Sequence, residues 1–469
     1  MKTKQIVGLS LSVLFGILSF VLPYEALGLP SEVALHTVGV LAITLALLLT
    51  ETFATPITCF ICISLMYLFG AVDSFAATLA GFTNTTSFFV IVSFALSIAI
   101  TKVPLGNRLL FNMMKLFGKN IKQILLAFMI TICILSAFIS NVATAAIFVA
   151  IAIKFFDIYD DEATGRQAGK LFMIGIAISA TLGGMATPAG SSLNLLIIEF
   201  VQEFADVRIT FLQWMVCGTP AAFVCTLLAW FLTTRVFKMP ELSKEDIAAY
   251  RNKLREESIP AKMDFKEKYV LSVIVVMFAL WIASSWVPFL DITLVATIGC
   301  IFMFIPKIEI LTYKEYIKGI NWTPYIIIST MIMVGTTLVK NGVTTWLCGL
   351  VFPETLAMGS FLAVLIVSLI IFALMIVIPS APAIINLLAA PLAALAAVSG
   401  LSPVLFLLPL GMCAGNCIIF PFDTVPAITY APGYYSMADL PKVSAPVQVG
   451  IAVVMAAWIP LAAQLVGLV

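Results

Sequence analysis

Charge is scarce in this sequence, and histidine is almost missing from it. Of 469 residues, 10% are charged and a single one, His36, is a histidine, while 62% are hydrophobic. So small a stock of polar groups cannot clothe a water-soluble domain, and lipid is the implied solvent. The same scarcity leaves no nucleic-acid footprint, and the net charge of +1 says nothing about partners. An enzyme embedded in the membrane would need a nucleophile and base, or a metal cluster, inside the apolar runs. No HExxH motif, paired intramembrane carboxylates or Cys-His set is present, so no catalytic role is expected. The nine cysteines lie in apolar runs, as Cys59, Cys133 and Cys300 do, and read as packing residues.

What is abundant is apolar runs long enough to span a bilayer, which takes roughly 20 residues as helix. Bounded by Pro, Gly and charge, they predict eleven crossings: 6–22, 33–50, 52–70, 87–102, 168–204, 211–236, 268–287, 291–306, 323–340, 403–435 and 444–468. The first follows Lys2 and Lys4 but lacks a small-residue cleavage site, so it reads as a retained helix and not a signal. Two further stretches, 121–156 and 357–399, are too long for one crossing and hold a polar or Pro-containing break at the centre. Each predicts a re-entrant hairpin. The segment 105–118 places Leu109, Met113, Leu116 and Phe117 on one helical face and predicts a helix lying along the interface.

Basic residues set the orientation. With the N-terminus in the cytoplasm and the C-terminus outside, all of the 25 Lys and Arg except Arg208 and Lys340 fall on the inner side. The expected location is the inner, cytoplasmic membrane. Internal similarity is faint but keeps one offset: Gly81-Phe82 recurs as Gly319-Ile320, Lys102 as Lys340 and Leu109 as Leu347. Each repeat holds five crossings, an odd number, so the second is inverted relative to the first, a plan that points to a secondary transporter. The fold class expected is an all-α polytopic membrane protein with about eleven transmembrane helices and two re-entrant hairpins in an inverted repeat. Its parts are a first helix and scaffold (1–120), a transport part (121–237), a polar cytoplasmic linker (238–267), a second scaffold (268–356) and a second transport part (357–469).

Four breaks carry the polar groups. The first hairpin has Ser140 and Asn141 at its tip and Thr144 one turn on, and the first broken span has Gly183, Gly184, Thr187, Pro188, Gly190, Ser191, Ser192 and Asn194. The second hairpin has Pro379, Ser380 and Pro382, with Asn386 beyond, and the second broken span has Asn416, Pro421, Asp423, Thr424 and Pro426. Unwound backbone at membrane depth costs several kcal/mol per unpaired group, so the four breaks are expected to converge on one cavity. Half-helix N-termini suit an anion, and freed carbonyls with Ser, Thr or Asn oxygens suit sodium. The blander reading is that Ser and Thr bond to their own backbone and that Asn386 is a packing group. His36, Glu51 and Glu199 read as interfacial or helix-end groups.

Over its whole length the chain resembles the divalent-anion sodium symporter family, carriers of dicarboxylates, citrate and sulfate. The resemblance rests on a Ser-Asn-Thr type hairpin followed by a Thr-Pro-rich broken helix in each half. It implies that Ser140, Asn141 and Thr144, with Ser380 and Thr424, bind the substrate anion. It further implies that the hairpin tips and the adjacent broken helices hold sodium, through Ser140, Asn141, Gly183, Thr187 and Asn194. A homodimer working as an elevator is implied as well. The sequence departs from the family at Val142, where a Thr is usual, and at Ala381 and Pro382, where Asn and Thr are usual. Asp423 stands where the family has a small neutral residue. A charge near the bilayer centre costs at least about 2.5 kcal/mol, so Asp423 is expected to ligate a cation, exchange a proton or cap the helix after it. The expected activity is sodium-coupled transport of a small anion, with a proton-coupled carrier, an anion exchanger (sulfate included) and a channel as alternatives.

Overall fold

A computed structural model shows a helical protein with no strand among the described residues. It describes residues 3–469 apart from 51, 157, 158, 160, 261, 288, 344, 345, 347–358, 378, 379, 421 and 422, so Glu51, Leu347, Pro379 and Pro421 lie outside the described residues. The first half contains α1 (Thr3–Val21), α2 (Glu32–Leu49), α3 (Thr55–Leu68), the single turn α4 (Phe75–Thr78), α5 (Thr85–Thr101) and α6 (Leu105–Phe117). It continues with α7 (Ile121–Ser136), α8 (Asn141–Phe156), α9 (Glu162–Gly184), α10 (Ser192–Ala205) and α11 (Phe211–Val236). After α12 (Lys244–Ser258) come α13 (Phe265–Ala283), α14 (Ile292–Phe302), α15 (Tyr313–Gly319) and α16 (Trp322–Lys340). The chain ends with α17 (Ser360–Val377), α18 (Ala381–Ser399), α19 (Val404–Ala414), α20 (Thr424–Tyr430) and α21 (Asp439–Leu465).

Polar caps sit where the apolar runs start. Ser31, Asn84, Asn120, Asp264, Asp291 and Asn321 each accept a backbone N–H of the helix they precede, and Thr210 with Gln213 forms a capping box on α11. Such caps satisfy donors that a helix end otherwise leaves open. Five described helices are long and apolar enough to cross a membrane alone: α1, α2, α11, α16 and α21. The arms of the first hairpin, α7 and α8, have 16 residues each, short of a full crossing. The break between α5 and α6 bends the chain by 61°, so the segment expected along the interface does turn away from the span before it. Leu110, Phe111 and Met114 are buried against the protein, while Leu116 of the predicted interfacial face is exposed and Leu109, Met113 and Phe117 are half-buried.

The two halves grip each other reciprocally. Lys102, at the end of α5, pairs with Glu315 at 2.7 Å, and Lys340, at the end of α16, pairs with Asp73 at 2.6 Å. The Tyr325 hydroxyl donates to the Phe82 carbonyl, and the Tyr316 hydroxyl to the Ile91 carbonyl. Hydrogen bonding from the Lys102 ammonium, then from Thr312, pulls the Glu315 carboxyl down to about 2. A depressed carboxyl keeps its charge until the pH falls toward that value, so this contact survives mild acid. Cys59 and Cys62 stand one turn apart on α3 in a C-x-x-C spacing, both fully buried in packing.

The polar segment 238–267 is not an open loop. Within it α12 buries Ile247, Tyr250 and Leu254, a helical stripe, and the Tyr250 ring packs 4.7 Å from that of Phe155. At the segment's end, in the first turn of α13, the fully buried Glu267 takes both Arg108 Nε at 2.6 Å and an Arg108 terminal nitrogen at 2.8 Å. Removing the Arg108 guanidinium would strand the buried Glu267 carboxylate, so Arg108→Ala is expected to cost about 3 kcal/mol or more. A lowered apparent Tm of the purified protein checks this, and an unchanged Tm would refute it.

Candidate functional site

The four breaks meet. A cavity of about 400 Å³ is lined by the first hairpin tip (Ser140, Asn141, Val142), the first break (Gly190, Ser191, Ser192), the second hairpin tip (Ser380, Ala381, Pro382) and the second break (Gly415, Asp423, Thr424). The remaining wall comes from α5, with Ser93 and Ser97, and from the start of α16, with Asn321 and Thr323. Four helices begin at this wall: α8 at Asn141, α10 at Ser192, α18 at Ala381 and α20 at Thr424. Ser191 caps α10 and Asp423 caps α20, each accepting a backbone N–H of the helix it precedes. All four helices direct their free N–H groups and positive dipole ends at the cavity. Among the described lining residues Asp423 is the one ionisable side chain, and there is no Lys or Arg.

The sequence-picked residues divide into two groups. Ser140, Asn141, Ser380, Asp423 and Thr424 line the cavity. Thr144, Gly183, Thr187 and Asn194 stand behind the wall, where they hold it in shape. The fully buried Thr144 hydroxyl donates to the Ser140 carbonyl at 3.1 Å. Thr187 Oγ1 donates to the Ala137 carbonyl, tying the first break to the first hairpin. Asn194 Nδ2 donates at 2.7 Å to the carbonyls of both Gly184 and Thr187, the latter also accepting the Gly190 N–H at 3.2 Å. Gly183 lets α9 run against α7, since a Cβ there would lie 2.4 Å from the Cys133 carbonyl oxygen.

Asn141 is the hinge of this corner. One end of its amide lies 2.8 Å from Ser136 Oγ and 3.2 Å from the carbonyl oxygens of Ala180 and Gly190. With nitrogen at that end the amide donates toward these oxygens; with oxygen there it accepts from the Ser136 hydroxyl, and the amide no longer donates to either carbonyl. With the amide oxygen turned inward, the oxygens of Asn141, Ser136, Ala180 and Gly190 make a donor set that would suit sodium. Ser136, whose hydroxyl also donates to Ala180 at 2.6 Å, was missed in the sequence, although a polar residue five positions before Asn141 in an apolar run was a usable signal. The carbonyls of Ala180 and Gly190 carry no such signal. Asp423 takes the capping option: its Oδ1 accepts from the Thr424 N–H at 2.7 Å while the carboxylate stays exposed to the cavity. In the second half Asn386 Nδ2 donates to Pro382 and Asn416 Nδ2 to Met412, and both buried amide oxygens are without a donor. Glu199 accepts from Asn84 Nδ2 at 3.3 Å and from Thr86 Oγ1, which places it at the α5 N-terminus.

A helical, lipid-matched chain whose interrupted helices all start at one polar cavity has the architecture of a polytopic membrane transporter. The fold of the Alcanivorax borkumensis YdaH transporter crystal structure agrees, with a TM-score of 0.57 and 13% identity over 92% of this chain and 99% of that one. More particularly, the sodium:sulfate symporter transmembrane region family matches residues 3–468, and the chain belongs to that family. The citrate/succinate antiporter of Escherichia coli (strain K12) is 24% identical over 277 residues, which cover 58% of this chain and 56% of that protein. The match thus spans little more than half the length of that relative. The sodium-dependent dicarboxylate transporter SdcS of Staphylococcus saprophyticus is 26% identical over 471 residues, covering 94% of this chain and 88% of that protein.

Proposed function

We propose that this protein is a secondary active carrier of di- or tricarboxylates, driven by a sodium gradient. The observation that carries the reading is the meeting of four helix N-termini at one cavity. At about half a positive charge each they supply roughly two charges' worth of potential, a match for a dianion without any Lys or Arg. Ser140 and Asn141 serve one carboxylate, with Thr144 fixing the backbone of Ser140, and Ser380 and Thr424 serve the other. Sodium, travelling with the substrate, is held at Asn141, Ser136 and the carbonyls of Ala180 and Gly190, in a pocket whose shape depends on Gly183, Thr187 and Asn194. Sodium dependence in the names of relatives supports this reading.

The reciprocal contacts of Lys102 and Lys340, 238 positions apart, support an inverted repeat. On this plan the N-terminus is cytoplasmic, the C-terminus is outside, and a dimer of scaffolds lets the cavity-bearing unit slide as an elevator. A second reading is favoured by Asp423 as the one ionisable group among the described lining residues: a proton-coupled carrier, or an anion exchanger like the citrate/succinate antiporter.

Proteoliposome uptake of succinate, malate, citrate and sulfate, with sodium and pH gradients imposed separately, tests the reading. Labelled succinate should accumulate under an inward sodium gradient, and preloading with unlabelled succinate should accelerate its entry. Flux without such counterflow would mean a channel and would end the carrier reading.

A further inference from the structure

A second cavity, of about 510 Å³, opens at the end of the bundle where α9 begins, α11 ends and α21 begins, and it shares no lining residue with the first. Arg166, Lys170 and Lys238 line it. Lys442 stands beside it, with its ammonium 6.0 Å from the centre of the Phe237 ring, which is also part of the wall. Asp439, the one carboxylate among the described lining residues, is already taken. Lys170 and Lys442 each reach it at 3.0 Å, and Ser436 donates to it through its hydroxyl at 2.7 Å and its backbone N–H at 3.0 Å.

Arg166 and Lys238 form no ion pair among the described residues. Arg166 donates one guanidinium N–H to the Gly433 carbonyl at 3.2 Å, which fixes its position at the rim and leaves other donors available. The three lining cations against one carboxylate leave a net two positive charges around an open cavity. In a chain where only 10% of residues are charged, that is a concentrated anion site.

The surroundings favour an amphiphile. Val224, Leu227 and Phe231 form an exposed apolar stripe on α11 that runs toward the cavity and ends with Arg235 stacked over Phe231 at 5.2 Å. We propose that this cavity binds a phosphate group, a chemistry shared by anionic phospholipid head groups and soluble phosphate, and that the stripe selects the lipid. Such a group would clasp α9 to the segment Gly433 to Asp439, and so join the first broken span to the second at this end.

The test uses the full-length protein in nanodiscs of equal phosphatidylglycerol and phosphatidylcholine, with retained lipid counted by native mass spectrometry. In parallel, inorganic phosphate is titrated in detergent and followed by thermal shift. Wild type should retain phosphatidylglycerol over phosphatidylcholine. Arg166→Gln/Lys238→Gln should weaken that retention roughly 30-fold, at about tenfold per 1.4 kcal/mol and near 1 kcal/mol per interfacial cation. Lys238→Gln alone, which disturbs no side-chain hydrogen bond, should weaken it about fivefold by the same arithmetic. A thermal shift with inorganic phosphate, lost in the double variant, would also support the site and assign it a soluble source. Equal retention of both lipids with no phosphate shift, or variants that match wild type in both arms, would overturn the proposal.

Discussion

Asn141→Ala is expected to cut sodium-driven uptake roughly 100-fold, because a hydrogen bond or ligand contact to a charged group is worth about 1.5–3 kcal/mol. The substitution removes the amide that joins Ser136, Ala180 and Gly190. It also strips the tip of the first hairpin of its cavity-facing polar group. Gly184→Ala attacks the same corner from the other side, since a Cβ on Gly184 would sit 2.3 Å from the Asn141 amide oxygen. It should reproduce the Asn141→Ala defect. Thr144→Val provides the contrast: its hydroxyl bonds only the Ser140 carbonyl behind the wall, so it should cost no more than about 1 kcal/mol. Uptake and its dependence on sodium concentration, measured for all three, decide the matter. A crippled Thr144→Val beside a near-normal Asn141→Ala would mean that the substrate and its cation meet the hairpin elsewhere.

The contrast between these residues shows where sequence reasoning stops. Helix breaks are written in residue types: Gly183, Gly184, Pro188 and Gly190 announced the interruption that lies between α9 and α10, and Ser140-Asn141 announced the turn between α7 and α8. Convergence was legible too, through energy, because four unwound segments cannot each face lipid. The role of a given oxygen was not. Thr187 and Asn194 have the composition of ligands, yet here they close backbone bonds that the break opens, and only coordinates separate the two uses. Backbone acceptors such as Ala180 and Gly190 leave no trace in residue type. The helix α12 is a different case, since the spacing of Ile247, Tyr250 and Leu254 was visible inside a segment that composition alone marked as polar linker.

Asp423→Asn is expected to uncouple the carrier: exchange of internal for external anion persists, while accumulation against a gradient fails. The argument is one of charge. A sphere with the cavity's volume of 400 Å³ is about 9 Å across, so a substrate carboxylate lies roughly 8 Å from Asp423 and is repelled by about 2 kcal/mol at an effective dielectric of 20. Anion and bare carboxylate therefore disfavour each other about 30-fold, and each favours a cation on Asp423 by the same factor. That mutual preference is what links the anion's movement to a cation gradient. Asparagine keeps the shape and can still accept the Thr424 N–H, but it carries no charge to be cancelled. The anion should then bind about 30-fold more tightly with the site empty of its cation, and the gradient loses its purchase on the cycle. Imposing sodium and pH gradients one at a time shows which of the two lost its drive, and so what Asp423 carries. If both gradients drive the variant as they drive the wild type, with an unchanged KM, Asp423 is a helix cap that happens to face the cavity. The first-half corner around Asn141 would then have to account for the whole of the coupling.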